Sequence, residues 1–196
     1  TNRGCSQDGL TPDWVAAQAA NGWQFILTDV GLQAPCSTRY DKLISTDPDT
    51  ARQQGNDGAT AAIAAAEELG FGAGSAVYAD IESYDGNASC TAGVLNYVSG
   101  WTEALNEAGW LGGMYSSGSS GIQEMCAAAD DSAYTLPDHM WFAWWNDSAD
   151  TDSGSYCSAD LFADGQRIHQ YSGNVTETYG GATVNIDRDF LDVVAQ

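Results

Sequence analysis

Apolar and polar residues follow a pattern along the chain that predicts helices and short strands in turn. Two helix starts are marked by Thr-Pro-Asp at 11–13 and Asp-Pro-Asp at 47–49, where a capping side chain precedes a proline in the first turn. The first helix is predicted to stop at Asn21 and Gly22. The second helix is rich in alanine and is predicted to run to Gly70.

A third helix is predicted over 91–108, where apolar residues recur at helical spacing and Gly109 ends the pattern. Its buried stripe is formed by Val94, Leu95, Val98, Trp101 and Leu105. A short helix follows near 122–129, and a terminal turn of helix is expected after Asp189.

Six short apolar segments are predicted to be strands: 24–30, 76–82, 110–116, 140–145, 166–171 and 183–187. Helices that alternate with short apolar strands are typical of parallel strands in an α/β protein. The Gly/Ser/Asp-rich segments 116–121 and 146–155 are predicted loops. No internal repeat or long linker divides the chain, so residues 1–196 are expected to form one domain.

Strand number and polar residues point to different architectures. A doubly wound sheet can hold six strands, whereas a (β/α)8 barrel needs eight and typically about 250 residues. However, most of the predicted strands end in candidate site residues, which a barrel would bring to one face: Asp29, Asp80, Glu82, Tyr115, Trp145, Gln170, Tyr171 and Asp187. We therefore expect an α/β fold, a TIM-like (β/α)8 barrel with about six of the eight strands in this chain.

Composition excludes several classes of partner. The net charge is −21, because six Lys and Arg face 27 Asp and Glu, so nucleic acid and anionic lipid are repelled. No run of 18 apolar residues predicts a membrane span. Five widely spread cysteines without C-x-x-C spacing favour disulfides in a secreted, extracellular or cell-wall-associated protein over a zinc site.

The strongest chemical signal is the pair Asp80 and Glu82 at the end of an apolar strand. Residues two apart in a strand project from the same side, and two adjacent carboxyl groups cannot both ionise easily. One pKa is therefore expected to be raised, as in an enzyme that protonates a leaving group near neutral pH. The alternative is an exposed strand end whose acids face water.

Aromatic residues give a second signal in the segment Trp-Phe-Ala-Trp-Trp at 141–145. Alternation places Trp141 and Trp145 on one face and Trp144 on the other. Large aromatic rings at a barrel mouth suit sugar rings, although Trp141 and Trp144 are explained equally well as core. Trp145 lies where the strand meets its loop and is the better ligand candidate.

A ring of weaker candidates surrounds the pair as expected substrate-binding residues: Asp29, Tyr115, Gln170, Tyr171 and Asp187. A salt bridge with Arg188 explains Asp187 almost as well. The two histidines lack metal-ligand spacing, and no P-loop, dinucleotide fingerprint or nucleophile elbow occurs. We therefore expect no metal and no cofactor, and we interpret His169 as a structural residue that points outward.

Six segments, in order along the whole chain, resemble the glycoside-hydrolase-like domain of secreted actinobacterial proteins, which is related to the family 25 lysozymes. They are LTPDWV at 10–15, VGLQAPC at 30–36, YADIESY at 78–84, GMYSS at 113–117, QRIHQY at 166–171 and ETYGGATVNIDRDFLD at 177–192. The resemblance implies a TIM-like barrel in which Glu82 is the general acid. Asp80 would position or polarise the sugar's N-acetyl group or a water.

The resemblance also implies that a first β-α-β unit, with a site aspartate and a sixth cysteine, is absent from this sequence. We expect it as a missing N-terminal segment or a second chain. With that cysteine counted, the resemblance implies that Cys5 pairs with Cys36 and Cys126 with Cys157, which leaves Cys90 for the absent partner.

Our leading hypothesis is a secreted domain that hydrolyses a cell-wall or extracellular polysaccharide, such as peptidoglycan. A rival is a non-catalytic barrel that binds glycan or builds an extracellular assembly. A third interpretation is an α/β protein with a structural acidic cluster, in which Asp80→Asn would raise stability and leave ligand binding intact.

Overall fold

The computed structural model describes residues 5–193, and its helices lie close to the predicted positions. Side chains of Thr11, Asp47 and Asn87 cap the first three helices by accepting a hydrogen bond from an amide of the first turn. The four α-helices are α1 (Pro12–Ala20), α2 (Pro48–Glu68), α3 (Ala88–Glu107) and α4 (Gln123–Ala127). A π-helical turn over Gly118–Ile122 occupies much of the first predicted loop.

The six described strands form one sheet in chain order. Neighbouring strands from β1 to β5 are parallel, as predicted. The strands are β1 (Leu27–Asp29), β2 (Ala76–Asp80), β3 (Leu111–Ser117), β4 (His139–Ala143), β5 (Gln166–Tyr179) and β6 (Ala182–Val193). The fold is therefore mixed α/β, and this sheet curls into a half-barrel.

The last two strands differ from the prediction. Strands β5 and β6 are antiparallel and form a long hairpin, whose turn consists of Gly180 and Gly181 with positive φ angles of 57° and 86°. Residues 189–193 belong to β6, so the predicted helical turn after Asp189 was wrong for this stretch. Residues 194–196 lie outside the described part of the chain.

Contacts that skip a strand show how strongly the sheet curls. The rings of Tyr78 on β2 and Trp141 on β4 lie 5.6 Å apart between centroids, across the intervening strand β3. Gly113 of β3 makes this approach feasible, because a methyl group at that position would overlap the Tyr78 ring. The face that carries these side chains is the concave face of the sheet.

Helices α2 and α3 lie against each other, and α3 covers the opposite, convex face. Trp101 of α3 is fully buried and donates from Nε1 to the Val77 carbonyl of β2 at 3.3 Å. The two helices approach at Gly55 and Gly100, where a methyl group would overlap backbone atoms of the other helix. The core of the domain therefore lies between the sheet and this closely packed helix pair.

The disulfides correct one predicted pairing and match the other. Cys126 pairs with Cys157 as expected, but Cys36 pairs with Cys90, so the predicted Cys5–Cys36 bridge was wrong. The reason is spatial: the loop after β1 lies beside the start of α3, with the two Cα atoms 5.6 Å apart, whereas Cys5 is exposed and free. Cys90 is thus not left for an absent cysteine.

Two disulfides fit an extracellular protein. None of the helices within residues 5–193 has the length and apolar character needed to cross a membrane.

Candidate functional site

The two predicted acids project from the concave face at the C-terminal end of β2. Asp80 is the last residue of the strand, and the Ile81 amide extends the pairing by donating to the Tyr115 carbonyl at 3.0 Å. Ile81 is 1% exposed and packs in the core, while Asp80 and Glu82 are partly exposed. The extended backbone therefore places both carboxyl groups on the side away from the helices, as alternation predicts.

The electrostatics of the pair centre on Asp80. Burial, reinforced by the negative charges of Glu82 and Asp29, raises the pKa of Asp80 to about 7. Its Oδ1 atom is buried and has no hydrogen-bond partner among the described residues. Near neutral pH the site therefore holds a carboxyl proton at Asp80, the lower and less accessible position of the pair.

Glu82 lies nearer to solvent, with 37% of its side chain exposed. Arg39 Nη2 lies 3.9 Å from Glu82 Oε2, and the guanidinium of Arg39 lies 5.7 Å from the centre of the Tyr40 ring. Burial and the charge of Glu82 raise the pKa of Tyr40. Because Arg39 and Glu82 are both well exposed, their ion pair contributes at most about 1 kcal/mol to stability.

Gln33 links the backbone on either side of Ile81. Its Nε2 donates to the Asp80 carbonyl at 2.7 Å, and its Oε1 accepts from the Glu82 amide at 2.8 Å. The side chain is buried, with 2% of the residue exposed. Sequence reasoning missed Gln33 because it lies in a loop, where no apolar periodicity marks a position as buried.

A chain of hydrogen bonds crosses from β3 to β5 next to the pair. The hydroxyl of Tyr115 donates to Gln170 Oε1 at 3.2 Å, and Trp145 Nε1 donates to the same oxygen at 2.9 Å. Burial raises the pKa of Tyr115, and the charges of Glu82, Asp80 and Asp187 reinforce the shift. Tyr115 therefore stays protonated and remains a donor at neutral pH.

Trp145 combines exposure with a fixed position. The residue is 55% exposed, yet its ring lies directly over Gly173, where a methyl group would overlap the indole. The hydrogen bond from Trp145 Nε1 to Gln170 Oε1 fixes the orientation of the indole ring. A large, held aromatic surface of this kind is suited to stacking on a sugar ring.

The other two tryptophans of the segment separate as alternation predicts. Trp141 lies on the concave face, where its Nε1 donates to Asp189 Oδ1 at 2.7 Å and its ring contacts Tyr115 at 5.0 Å between centroids. Burial raises the pKa of Asp189 to about 6. Trp144 packs on the other side of the sheet against Tyr156, with 5.4 Å between the ring centroids.

Asp29 does not join the acids on the concave face. The strand register pairs it with Ala79 rather than Asp80, and it lines a cavity on the helix side together with Ala62 of α2. Its charge raises the pKa of both Asp80 and Tyr97 of α3. Asp29 therefore influences Asp80 electrostatically, from the helix side of the sheet.

Tyr171 and Asp187 also lie apart from the pair. The Tyr171 ring contacts His169 with 6.2 Å between centroids, on the side of β5 opposite Gln170. Asp187 accepts a hydrogen bond from the Asn174 amide at 2.8 Å in the hairpin and influences the concave face through its charge, which contributes to the raised pKa of Tyr115 and of Asp189. The alternative salt bridge of Asp187 is not formed, because Arg188 pairs with Glu177.

His169 is structural and fully buried. Its Nδ1 lies 2.7 Å from the Asp150 carbonyl oxygen and its Nε2 lies 2.8 Å from the Trp144 carbonyl oxygen. The ring stacks on Phe142 with 4.2 Å between centroids. It therefore joins the loop after β4 to the convex side of the sheet and does not reach the acid pair.

A cavity larger than the one beside Asp29 lies at the other end of the sheet, away from the acid pair. That cavity, of about 540 Å³, is lined by Ala76, Leu111 and His139 at the N-terminal ends of the strands. Among residues 5–193, no group of three or more His, Cys, Asp or Glu side chains has the arrangement needed to hold a metal ion.

Comparisons with known proteins agree with this architecture. The chain matches a 1.07 Å crystal structure of an uncharacterized B. stearothermophilus protein with a TM-score of 0.54 and 15% sequence identity, over 93% of this chain and 76% of that one. At this identity the match shows a shared fold alone. No curated protein matches the sequence. The family described as "Rv2525c-like, glycoside hydrolase-like domain" matches residues 1–191, so this chain belongs to that family.

Proposed function

We propose that this protein binds a polysaccharide across the C-terminal ends of β2 to β5 and hydrolyses its glycosidic bonds with the pair Asp80 and Glu82. The observation that carries the proposal is a carboxyl pair open to one face, with one pKa raised to about 7. A proton held near neutral pH is what a general acid in glycoside hydrolysis requires. Membership of a glycoside-hydrolase-like family supports a role on glycans.

The positions of the two acids suit different tasks. Glu82, which is nearer to solvent, would receive the proton that Asp80 holds near neutral pH and pass it to the glycosidic oxygen as the bond from the anomeric carbon to that oxygen breaks. A water would add to the anomeric carbon and return its proton to the pair. Asp80, which lies deeper, would assist by orienting the sugar's N-acetyl group or the water. Trp145 would stack on a neighbouring sugar ring, and Gln170 would orient both Trp145 and Tyr115.

We also propose that the curled sheet is part of a TIM-like (β/α)8 barrel related to the lysozymes, in a secreted or cell-wall-associated protein. Five parallel strands in chain order and a helix pair on the convex face support this architecture. The antiparallel β6 departs from the regular barrel pattern.

The test is release of reducing ends from peptidoglycan and other cell-wall polysaccharides by the full-length protein and by Glu82→Gln. We expect the substitution to reduce turnover by about 10²-fold to 10⁴-fold, which is the usual contribution of a general acid. Asp85→Asn, at an exposed position close in sequence, is the matched control and should retain turnover. Full activity of Glu82→Gln would exclude Glu82 as the acid.

A second candidate function is glycan binding without hydrolysis. The observation that favours it is the exposed and fixed ring of Trp145, which would serve binding whether or not the acids react. In that case Trp145→Ala would weaken binding of the polysaccharide, whereas Glu82→Gln would leave binding intact, and neither the wild type nor the variants would show turnover.

A further inference from the structure

Strand β2 continues beyond the end of its neighbour β1, and this leaves backbone groups without a strand partner. β1 ends at Asp29, which pairs with Ala79. On the other side, the Ile81 amide still bonds to the Tyr115 carbonyl of β3. The Asp80 carbonyl and the Glu82 amide point toward the β1 side, where the chain has already turned away.

The amide of Gln33 takes the place of the missing strand residue. Like a peptide group, it offers one N–H donor and one carbonyl acceptor in a plane, and it uses both on the backbone of Asp80 and Glu82 at 2.7 and 2.8 Å. The reverse orientation would place donor against donor and acceptor against acceptor. The orientation of the side-chain amide is therefore fixed by its two partners.

The backbone of Gln33 is also held by hydrogen bonds. Its backbone amide donates to the Lys42 carbonyl at 2.9 Å, and its backbone carbonyl accepts from the Ile44 amide at 2.8 Å. Three residues later, the Cys36–Cys90 disulfide joins the same loop to the start of α3. The backbone amide, the backbone carbonyl and both polar groups of the Gln33 side chain are thus all bonded.

We propose that Gln33 is the positioning residue of the acid pair: it holds the backbone extended from Asp80 to Glu82, past the end of β1, so that the carboxyl groups of Asp80 and Glu82 stay on the same side. The inference rests on the proposed function for its meaning in catalysis. Its structural content, the fixed placement of Glu82 relative to Asp80, holds without that function and is tested separately.

The first test compares Gln33→Met with Gln54→Met. Methionine keeps the length and flexibility of glutamine but removes the amide. Gln54 is the matched control because its Oε1 accepts from the Ser45 amide at 2.8 Å in the same loop and does not touch the pair. Both variants lose partly buried hydrogen bonds, so a comparison of the two separates a general loss of stability from an effect on the acids.

The readout is the titration of the two carboxyl groups, followed by carboxyl carbon-13 NMR. In Gln33→Met we expect the titration midpoint of Asp80 to fall by about one pH unit or more, because a released strand end lets water reach the carboxyl group and separates it from Glu82. Gln54→Met should titrate like the wild type. Equal titration curves in both variants would overturn the proposal.

Turnover gives a second readout. In Gln33→Met we expect kcat to fall by about 10-fold to 10²-fold with a smaller change in KM, because misplacement of reacting groups by about 1 Å costs up to that factor. If Glu82→Gln retains full turnover, the proposed function fails, yet the NMR titration still decides the role of Gln33. If turnover depends on Glu82 but not on Gln33, only the present inference fails.

Gln33→Glu provides a conservative rescue and guards against misfolding of the methionine variant. A protonated carboxyl group has one donor and one acceptor, as the amide does, whereas a carboxylate would face the Asp80 carbonyl oxygen and repel it. We expect the Glu82 amide shift of Gln33→Glu to match that of the wild type at pH 4.5 and to differ from it at pH 8. A difference from the wild type that is the same at both pH values, whether zero or not, would overturn the proposal.

Discussion

Removing the buried charge of Asp80 should stabilise the protein, and only above the pH at which an unfolded aspartate ionises. Folding raises the pKa of Asp80 from 3.8 to about 7. An acid whose pKa is raised by folding binds its proton more tightly in the native state than in the unfolded state. The free energy of unfolding is therefore unaffected by this group below pH 3.8, falls as the pH rises from there to about 7, and levels off above.

The magnitude follows from the size of the shift. Roughly three pKa units at about 1.4 kcal/mol each give a cost of about 4 kcal/mol at pH 8. Asp80→Asn keeps the shape of the side chain and removes the charge. It should raise the free energy of unfolding by about 4 kcal/mol at pH 8, and by less than about 1 kcal/mol at pH 4.

The assay is urea denaturation at pH 4 and pH 8, followed by tryptophan fluorescence. The control is Asp160→Asn, which removes the same charge from an exposed position of a chain with net charge −21 and so corrects for general repulsion. A gain no larger than that of the control, or an equal gain at both pH values, would contradict the burial of Asp80 as the cause. Loss of glycan binding in the same variant would separate a functional pair from a purely structural acidic cluster.

Three further predictions concern the aromatic surface and the crosslinks. Trp145→Ala should weaken polysaccharide binding about 10-fold in calorimetry, with little change in stability. Trp144 is partly buried and packs against the core, so Trp144→Ala should lower the free energy of unfolding by about 3 kcal/mol in denaturation and leave binding unchanged. Gly173→Ala should weaken binding as much as Trp145→Ala, because the added methyl group displaces the ring; unchanged binding would refute the stacking role. Replacing Cys36 and Cys90 by alanine should lower the free energy of unfolding by about 4 kcal/mol, since the bridge closes a loop across 54 residues, and peptide mapping of the oxidised protein should recover this bridge.

The sequence predicts local features of this fold better than long-range ones. The Asp-Pro-Asp signal at 47–49 and Gly70 bracket α2 closely, because capping and glycine act over a few residues. The hairpin of β5 and β6 was missed although Gly180 and Gly181 carry a turn signal, because the exposed residues on either side lack the apolar run that marks a buried strand. The disulfide partners depend on which loops meet in space, and connectivity is not contained in cysteine spacing.

The candidate site shows the same division. Alternation along one strand places Asp80 and Glu82 together and separates Trp141 from Trp144, because a period of two needs no knowledge of the fold. The same rule applied to β1 would have placed Asp29 on the same face as Leu27, two residues earlier, which is partly buried on the helix side. Gln33 was beyond such reasoning, since its role depends on β1 ending before β2, and only the register of the two strands reveals that.

The close packing of helices α2 and α3 at Gly55 and Gly100 has a consequence for how the candidate site can adjust to a ligand. At these two glycines backbone meets backbone with no side chain between the helices, and Trp101 of α3 bonds to the convex side of β2. Strand β2, at whose C-terminal end the carboxyl groups lie, is therefore held by a closely packed helix pair on its convex side. Under the proposed function, β2 would not shift to fit a sugar chain, and the adjustment would come from exposed side chains beside the pair, such as Arg39.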